Sequence, residues 1–528
     1  MKGLFLNTRT YFLLCLSSIA IGLSLSKPLI SLGLIGLLLV WLADGNVLLK
    51  LKTFYANKIA LLLSSIYILT LLGLIYTSNF DYALDDVRRK MPLFFLPFYF
   101  SGFTPLTKKE LALLLKIYSV GVLSASFWSL FVFLGGLNIT IIDARELSRF
   151  NSHIRFGLEI ALALFFSYYF FIKATSLREK LIWFCSSIWL LFSLYLFNLF
   201  TGTVVFLLTI PVLLVVFGFL SKNKRLKLLS ILFVTISFVV FFVIIKNAIN
   251  DFYSCNNVTQ LKEIPLTTEG NPYVKDAKAI NSNLKENGYF VDKNISLEEF
   301  SKAWNNKSKI DFNGKDLKKQ ELKNTLIRFI TSKGQRKDKE AIDRLTDEEV
   351  KAIENGISNY KYLTMNSFST RLHKIIWEYD SYKSGRNING HSVLMRWEYC
   401  KTAIHIIKNN LLLGVGTGDV QDAFNLQYKK EDSKLEPQHR LRAHNQYLTY
   451  GVTFGTMGII WFILFLFYPI FKTKLYKNYL YLAFFSIVLL SMITEDTLET
   501  QVGINLFVFF NTILLLSINN KKPQLNNF

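Results

Sequence analysis

Apolar side chains run through this sequence in long blocks, most of them sixteen or more residues. A hydrocarbon layer about 30 Å thick takes about 20 helical residues to cross, so such blocks are the signature of membrane spans. No water satisfies the backbone inside lipid, and each block must therefore bond its own amides as a helix. Blocks fall near residues 10–26, 28–43, 58–76, 91–103, 111–134, 154–172, 181–200, 203–220 and 228–246, then near 447–471, 478–494 and 501–518. The fold class this implies is all-α: a polytopic transmembrane bundle of about twelve spans. A large, mainly helical extramembrane domain precedes the last three. The block 91–103 is short and holds Pro92 and Pro97, which suits a re-entrant segment. The first block shows no small-residue cleavage site and is followed at once by further spans, so it reads as a span and not a leader.

Three segments follow from this pattern: N-terminal helices in 1–249, a loop domain in 250–446 and C-terminal helices in 447–528. Cationic residues in short loops gather on the cytoplasmic side of a membrane. With Met1 inside, the inner short loops carry 19 Lys and Arg. The outer short loops carry six: Lys27, Arg88, Arg89, Lys90, Arg145 and Arg149. The bias places both termini in the cytoplasm and 250–446 outside.

The formal net charge is +22. Segment 250–446 holds 32 basic and 26 acidic residues, and the remainder 28 and 12, so the excess lies mostly in the membrane part. Topology and anionic lipid account for it; no nucleic-acid motif is present. Of the four cysteines, Cys15 and Cys185 lie in spans. Cys255 and Cys400 lie in the outer segment, where an oxidising environment leaves a disulfide between them open.

The outer segment has two parts. Residues 256–365 alternate charged and spaced apolar side chains, as a solvated helical insert does. Ser296 with Glu299 suggests a capping box, a helical period runs over Leu317–Ile330, and Thr346 with Glu349 suggests a second box on a helix closed by Gly356. Residues 366–446 are the motif-bearing part. Ser392–Ile407 is an amphipathic helix candidate ended by Asn409–Asn410. Gly414, Gly416 and Gly418 follow in LLLGVGTGD. They suit a helix exit needing positive φ, with a phosphate nest as the alternative. At the entrance to the next span, His444, Leu448, Gly451 and Gly455 would share one helical face. Arg440, Arg442 and His444 bring three donor or cationic groups to headgroup depth, joined by Arg396 if the fold brings its helix near. His153, Arg155 and Glu159 mark the sixth span, and Arg88, Arg89 and Lys90 the fourth. Glu495, Asp496 and Glu499 lie between the last two.

Taken in order, SVLMRW from Ser392, IIKNNL from Ile406, GVGTGD from Gly414, RAHNQYL from Arg442, FGTMG from Phe454 and TEDTLETQ from Thr494 resemble the O-antigen ligase/polymerase membrane family, in particular its Bacteroidetes-type members. The motifs cover roughly residues 370–510. The turn at Phe200–Thr203 departs from the family's pattern, because it lacks an Arg found there in many members.

The resemblance implies glycan transfer from an undecaprenyl diphosphate carrier to an acceptor at the periplasmic face of the bacterial inner membrane, in surface polysaccharide assembly. By motif position it implies His444 as the catalytic residue and Arg396, Arg442 and Arg155 as holders of the donor diphosphate. Asn445, Tyr447, Arg440 and Arg88 are further candidate substrate contacts. A diphosphate leaving group needs charge stabilisation, which Arg supplies bidentately. A hydroxyl nucleophile needs a base, a task suited to His near pH 7. Neither a metal nor a nucleotide cofactor is expected. The implied partners are the lipid-linked donor, a lipid or glycan acceptor and the membrane. The competing readings are a repeat-unit polymerase, a protein O-oligosaccharyltransferase and a polysaccharide transporter.

Overall fold

The computed structural model describes residues 7–137, 141, 144–255, 261–262, 264–273, 284–383 and 389–518. Lys521 and Lys522, which enter the loop-charge count, lie outside them. The first helices are α1 (Thr8–Leu25), α2 (Lys27–Ala43), α3 (Val47–Ala56), α4 (Lys58–Leu72), α5 (Phe80–Lys90), α6 (Pro92–Ser101) and α7 (Lys108–Phe133). Then come α8 (His153–Lys173), α9 (Leu177–Leu196), α10 (Phe200–Leu220) and α11 (Lys224–Ser254). Four helices follow in the insert, α12 (Leu297–Lys307), α13 (Leu322–Ser332), α14 (Lys339–Asp343) and α15 (Asp347–Glu354), and α16 (Ser367–Lys383) comes after it. The last are α17 (Ser392–Asn409), α18 (Val420–Lys430), α19 (Gln446–Thr473), α20 (Tyr479–Thr494) and α21 (Gln501–Ile518). Among the described residues, strands are limited to a small hairpin pairing Lys285–Glu286 with Tyr289–Phe290. The protein is a polytopic all-α membrane protein.

Seven described helices are each long and apolar enough to cross a bilayer: α1, α7, α8, α9, α10, α11 and α19. The pair α2 and α3 qualifies only together and is bent by 116°. Helices α4, α20 and α21 are apolar but shorter. The block at 91–103 is the ten-residue α6, about 15 Å long at 1.5 Å per residue and too short to cross alone.

The chain divides into two compact units, Met1–Val234 with Arg396–Phe528, and Thr235–Met395. In the first, α8 is central: every residue from Phe156 to Ser167 is buried. A helix covered on all sides needs no apolar stripe, and α8 and α21 carry apolar residues all round. Helix α19 breaks at Gly455, whose φ of 64° and ψ of −161° leave the helical region. A Cβ at Gly455 would lie 2.4 Å from the Leu412 backbone, so only glycine lets the Leu411–Leu413 segment come this close.

The second unit has its own apolar core, built around Phe300, Trp304, Phe329 and Ile330 from α12 and α13. Trp377 of α16 belongs to that core, so residues 367–383 pack with the insert. Lys307 donates to the carbonyls of Ile342, Asp343 and Leu345, closing the exposed C-terminus of α14. The Thr346–Glu349 capping box forms, and Gly356 takes φ 69° just past the helix. Two sequence readings need correction. Ser296 makes no side-chain cap; it is buried, and its backbone N–H donates to the Lys337 carbonyl instead. The helix read over Leu317–Ile330 begins only at Leu322. Asp316 captures the Gln320 amide, and Lys319 is left-handed at φ 63°, so the chain turns before it coils.

His373 is buried in this unit, its Nδ1 3.0 Å from the Tyr362 hydroxyl and its ring edge-on to Phe252. Burial, with the charges of Lys361 and Arg328, lowers its pKa to about 4. The folded state keeps His373 neutral, whereas the unfolded chain protonates near 6.5. Its contribution is therefore present above pH 6.5 and is lost as pH falls from 6.5 towards 4, up to about 3 kcal/mol. Burial raises Glu286 and Glu378 and works in the opposite direction. The decisive quantity is thus a difference: hydrogen exchange of α13 and α16 should rise less on acidification in His373→Phe than in wild type. Equal pH dependence in both would refute the assignment.

Candidate functional site

Between α20 and α21 the chain makes a short 3₁₀ turn carrying Glu495, Asp496 and Glu499. The turn is fixed from both sides. Thr497 Oγ1 lies 3.1 Å from Ser491 Oγ, and the Leu498 amide donates to Gln446 Oε1 at 2.5 Å. Cations from four other parts of the chain converge on it. Arg396, in the second turn of α17, donates through Nη2 to Glu495 Oε1 at 2.8 Å. Arg442 Nη1 lies 3.6 Å from Glu499 Oε2, with its guanidinium over the Tyr82 ring. Lys90, the last residue of α5, bridges Glu499 Oε1 at 2.9 Å and Asp86 Oδ2 at 2.8 Å. Arg155, in the first turn of α8, donates to the Asp496 carbonyl at 3.3 Å. Space for it comes from Gly503, where a Cβ would sit 2.7 Å from Arg155 Nη1.

These groups set one another's ionisation. Burial alone would lower Lys90, but Asp86 and Glu499 outweigh it and hold the ammonium well above its ordinary range. Burial likewise works to raise Glu499, yet Lys90 and Arg442 hold it below the ordinary carboxylate range. Asp86 shares the same ammonium without a second close cation of equal strength, and burial pushes it up to about 6. Burial raises Asp496 against the 2.7 Å hydrogen bond from Thr449; Glu499 adds to the rise, and His444 and Arg442 oppose it.

The histidine reaches this cluster from the segment before α19. Asn445 caps that helix by accepting from the Leu448 amide at 3.1 Å. His444 stands outside the helix with φ 47°, its ring 5.8 Å from the ring of Tyr399. The helical face expected to join His444 to Gly451 and Gly455 therefore does not exist: a left-handed residue precedes the cap and Gly455 breaks the helix. Tyr399 and Tyr428 donate to the carbonyls of His439 and Leu441, which fixes the path of the segment.

The glycine loop Gly414–Asp419 is a staple, not a phosphate nest. Gly414 and Gly416 are left-handed, at φ 71° and 93°. Every amide from Gly414 to Gly418 already has a protein acceptor: Asn410, Val452, Thr453 and Gly73 carbonyls in turn, then Thr77 Oγ1. Asp419 accepts from the amides of Ser78 and Asn79.

Residues 356–463 match the family model described as O-antigen ligase. Over this segment the chain is similar to the O-antigen ligase family. The match supports glycan transfer of the ligase or polymerase type in polysaccharide assembly. No curated protein matches the chain.

The matched stretch holds Arg396, Arg442 and His444 but ends before the acidic turn. The structure thus joins residues of the matched stretch to Glu495, Asp496, Glu499, Lys90 and Arg155 from outside it. Other sequence candidates fall elsewhere. Arg440 turns back to the Leu435 carbonyl, and Arg88 is exposed beside Asp85. Asn445 is a cap that also donates to the Ile493 carbonyl, and the Tyr447 hydroxyl donates to the Leu489 carbonyl. Both serve the packing of α19 on α20. Cys255 and Cys400 are free thiols. Asp86, Gln446 and Thr449 escaped sequence reasoning, and Lys90 stood out only as an outward-side charge at the start of the fourth span. The only signal was a charge pattern, acidic then basic, ending at Lys90 where an apolar run begins.

Lys90 and its two carboxylates are buried, so removing the ammonium strands them. Lys90→Met should destabilise the folded protein by about 3–5 kcal/mol. Thermal unfolding in nanodiscs checks this, and a melting temperature equal to wild type would contradict the bridge.

Proposed function

We propose that the protein transfers a glycan from a polyprenyl diphosphate to an acceptor hydroxyl at the periplasmic face of the bacterial inner membrane. The observation that carries this reading is the convergence of Arg396, Arg442, Arg155 and His444, far apart in sequence, on the 495–499 turn. Loop charge supports the orientation, with the termini inside and 250–446 outside.

Arg396 and Arg442 are the cations with open surface, their side chains 39% and 19% exposed. Each spends few of its five N–H donors on a carboxylate and keeps others for diphosphate oxygens. Arg155 is buried and acts by holding the turn. The acceptor oxygen attacks the anomeric carbon with inversion, and the carbon–oxygen bond to the diphosphate breaks. The electron pair leaves on the diphosphate, stabilised by the guanidinium groups, and His444 takes the hydroxyl proton. This chemistry calls for neither metal nor nucleotide, since the donor's diphosphate carries the driving force. Extension of a lipid-linked chain uses the same chemistry as ligation to a lipid core; the acceptor alone distinguishes them.

A general base contributes about 10²–10⁴-fold. His444→Ala should therefore cut transfer by that factor with a defined polyprenyl donor, while membrane insertion and abundance stay near wild type. Arg442→Lys, which keeps charge but loses the planar fork, should weaken donor use as a rise in KM. Full transfer by His444→Ala would refute the role given to the histidine.

A further inference from the structure

A second feature of the membrane unit lies apart from the cationic cluster. A cleft of about 740 Å³ opens between the end of α4, the end of α17 and one side of α18. That volume falls within the range of about 300–1,000 Å³ typical of ligand sites. Its walls differ in kind from the diphosphate site: no arginine lines it, and Lys430 is its one lysine.

The polar lining is oriented by the protein. Asn410 donates through Nδ2 to the Ile406 carbonyl at 3.0 Å, and Gln427 through Nε2 to Glu431 Oε1 at 2.5 Å. Asp422 accepts from Asn79 Nδ2 through one oxygen at 2.9 Å. Among the described residues no partner is recorded for the other oxygen of Asp422, or for the side-chain carbonyls of Asn410 and Gln427. The cleft therefore offers these oxygens beside the second N–H of each amide and the Lys430 ammonium, a mixed set of acceptors and donors. Asp419 and Asp422 set two carboxylates against the single Lys430 ammonium, a balance that disfavours a phosphate. A ligand dense in hydroxyls fits.

Apolar surface sits beside these oxygens. Tyr76 is pinned by its hydroxyl to the Leu413 carbonyl at 2.8 Å and lines the cleft with Leu426, which is 67% exposed. A sugar ring, with hydroxyls at its edge and C–H groups on its face, matches this pairing. The walls are preorganised, because the Gly414–Asp419 staple joins α17 and α18 to the end of α4, and preorganisation lowers the cost of binding. The adjoining Leu411–Leu413 run is exposed and apolar.

We propose that this cleft binds an uncharged saccharide, as the glycan subsite of the transfer reaction. The proposal rests on the transferase reading for its biological ligand, and its binding chemistry stands apart from that reading. Helix α18 links the two places. Asp422 and Gln427 face the cleft, while Gln421 and Tyr428 of the same helix hold the carbonyls of Arg440 and Leu441 beside the histidine segment.

The test uses full-length protein in nanodiscs and saturation-transfer NMR. The probes are two saccharide fractions released by mild acid from the host's own glycans, one from the carrier-linked pool and one from the acceptor lipid, together with inorganic pyrophosphate. One fraction should bind, and which one binds identifies the source as donor glycan or acceptor. Gln427→Ala, and independently Ala423→Trp, which fills the cleft without removing a hydrogen bond, should weaken that binding at least tenfold and leave pyrophosphate binding unchanged. Binding of neither fraction, wild-type binding by both variants, or displacement of saccharide by pyrophosphate would overturn the proposal. Failure of pyrophosphate to bind wild type would instead count against the diphosphate reading, while loss of saccharide binding in Ala423→Trp would still support the cleft.

Discussion

The Lys90–Glu499 ion pair, buried and shared with Asp86 and Arg442, is the contact on which the rest of the site depends. An isolated charge at this depth is costly, and it is stable only with its partners in place. The arrangement ties α5, the start of α19 and the turn before α21 together, and thereby sets where Arg442 and His444 stand. Arg396 and Arg155 reach the same turn from α17 and α8. Catalysis by stabilising a leaving diphosphate requires donors fixed before the reaction, since moving them during it costs what they would contribute. Carboxylates that hold guanidinium groups from behind supply that fixity and leave other N–H donors free.

A second constraint is steric. The Gly414–Asp419 loop presses its backbone against α4 and α19, and Gly455 admits Leu412 at a distance closed to any side chain. These contacts place α17 and α18 against the membrane helices. The glycines that resemble a phosphate loop thus serve assembly, and their amides are spent inside the protein. The cleft beside the staple differs in kind from the cationic cluster: arginines build the cluster, and none lines the cleft.

Much of the fold was legible because spans announce themselves through length and hydropathy, as α7, α8, α10 and α19 do. Where that rule blurs, the cause is local. Pro92 and the short apolar run before Gly102 give a ten-residue α6, and the sharp turn between α2 and α3 lies in Gly45–Asn46, whose positive φ no periodicity reveals. His444 and Arg442 were readable from motif order, whereas the helical face assigned to His444 was not real, since a left-handed residue before the cap looks like any other polar residue in sequence. Glu495, Asp496 and Glu499 stood out as charges between spans, but their partners come from positions scattered from Lys90 to Arg442, and only packing joins them. Ser296 shows the same limit in the insert: the capping pattern is present, but burial and the Lys337 carbonyl decide its bonding.

The most direct test is a double-mutant cycle between Arg442 and Glu499, read in transfer rate with a defined polyprenyl donor. If the carboxylate acts by holding the guanidinium, Glu499→Gln and Arg442→Gln each lower transfer, and the double variant is hardly worse than Arg442→Gln alone. The coupling should fall within the range of about 0.5–3 kcal/mol seen for residues in one network. Strictly additive losses would show that the two residues act independently, and would contradict a site organised by the acidic turn.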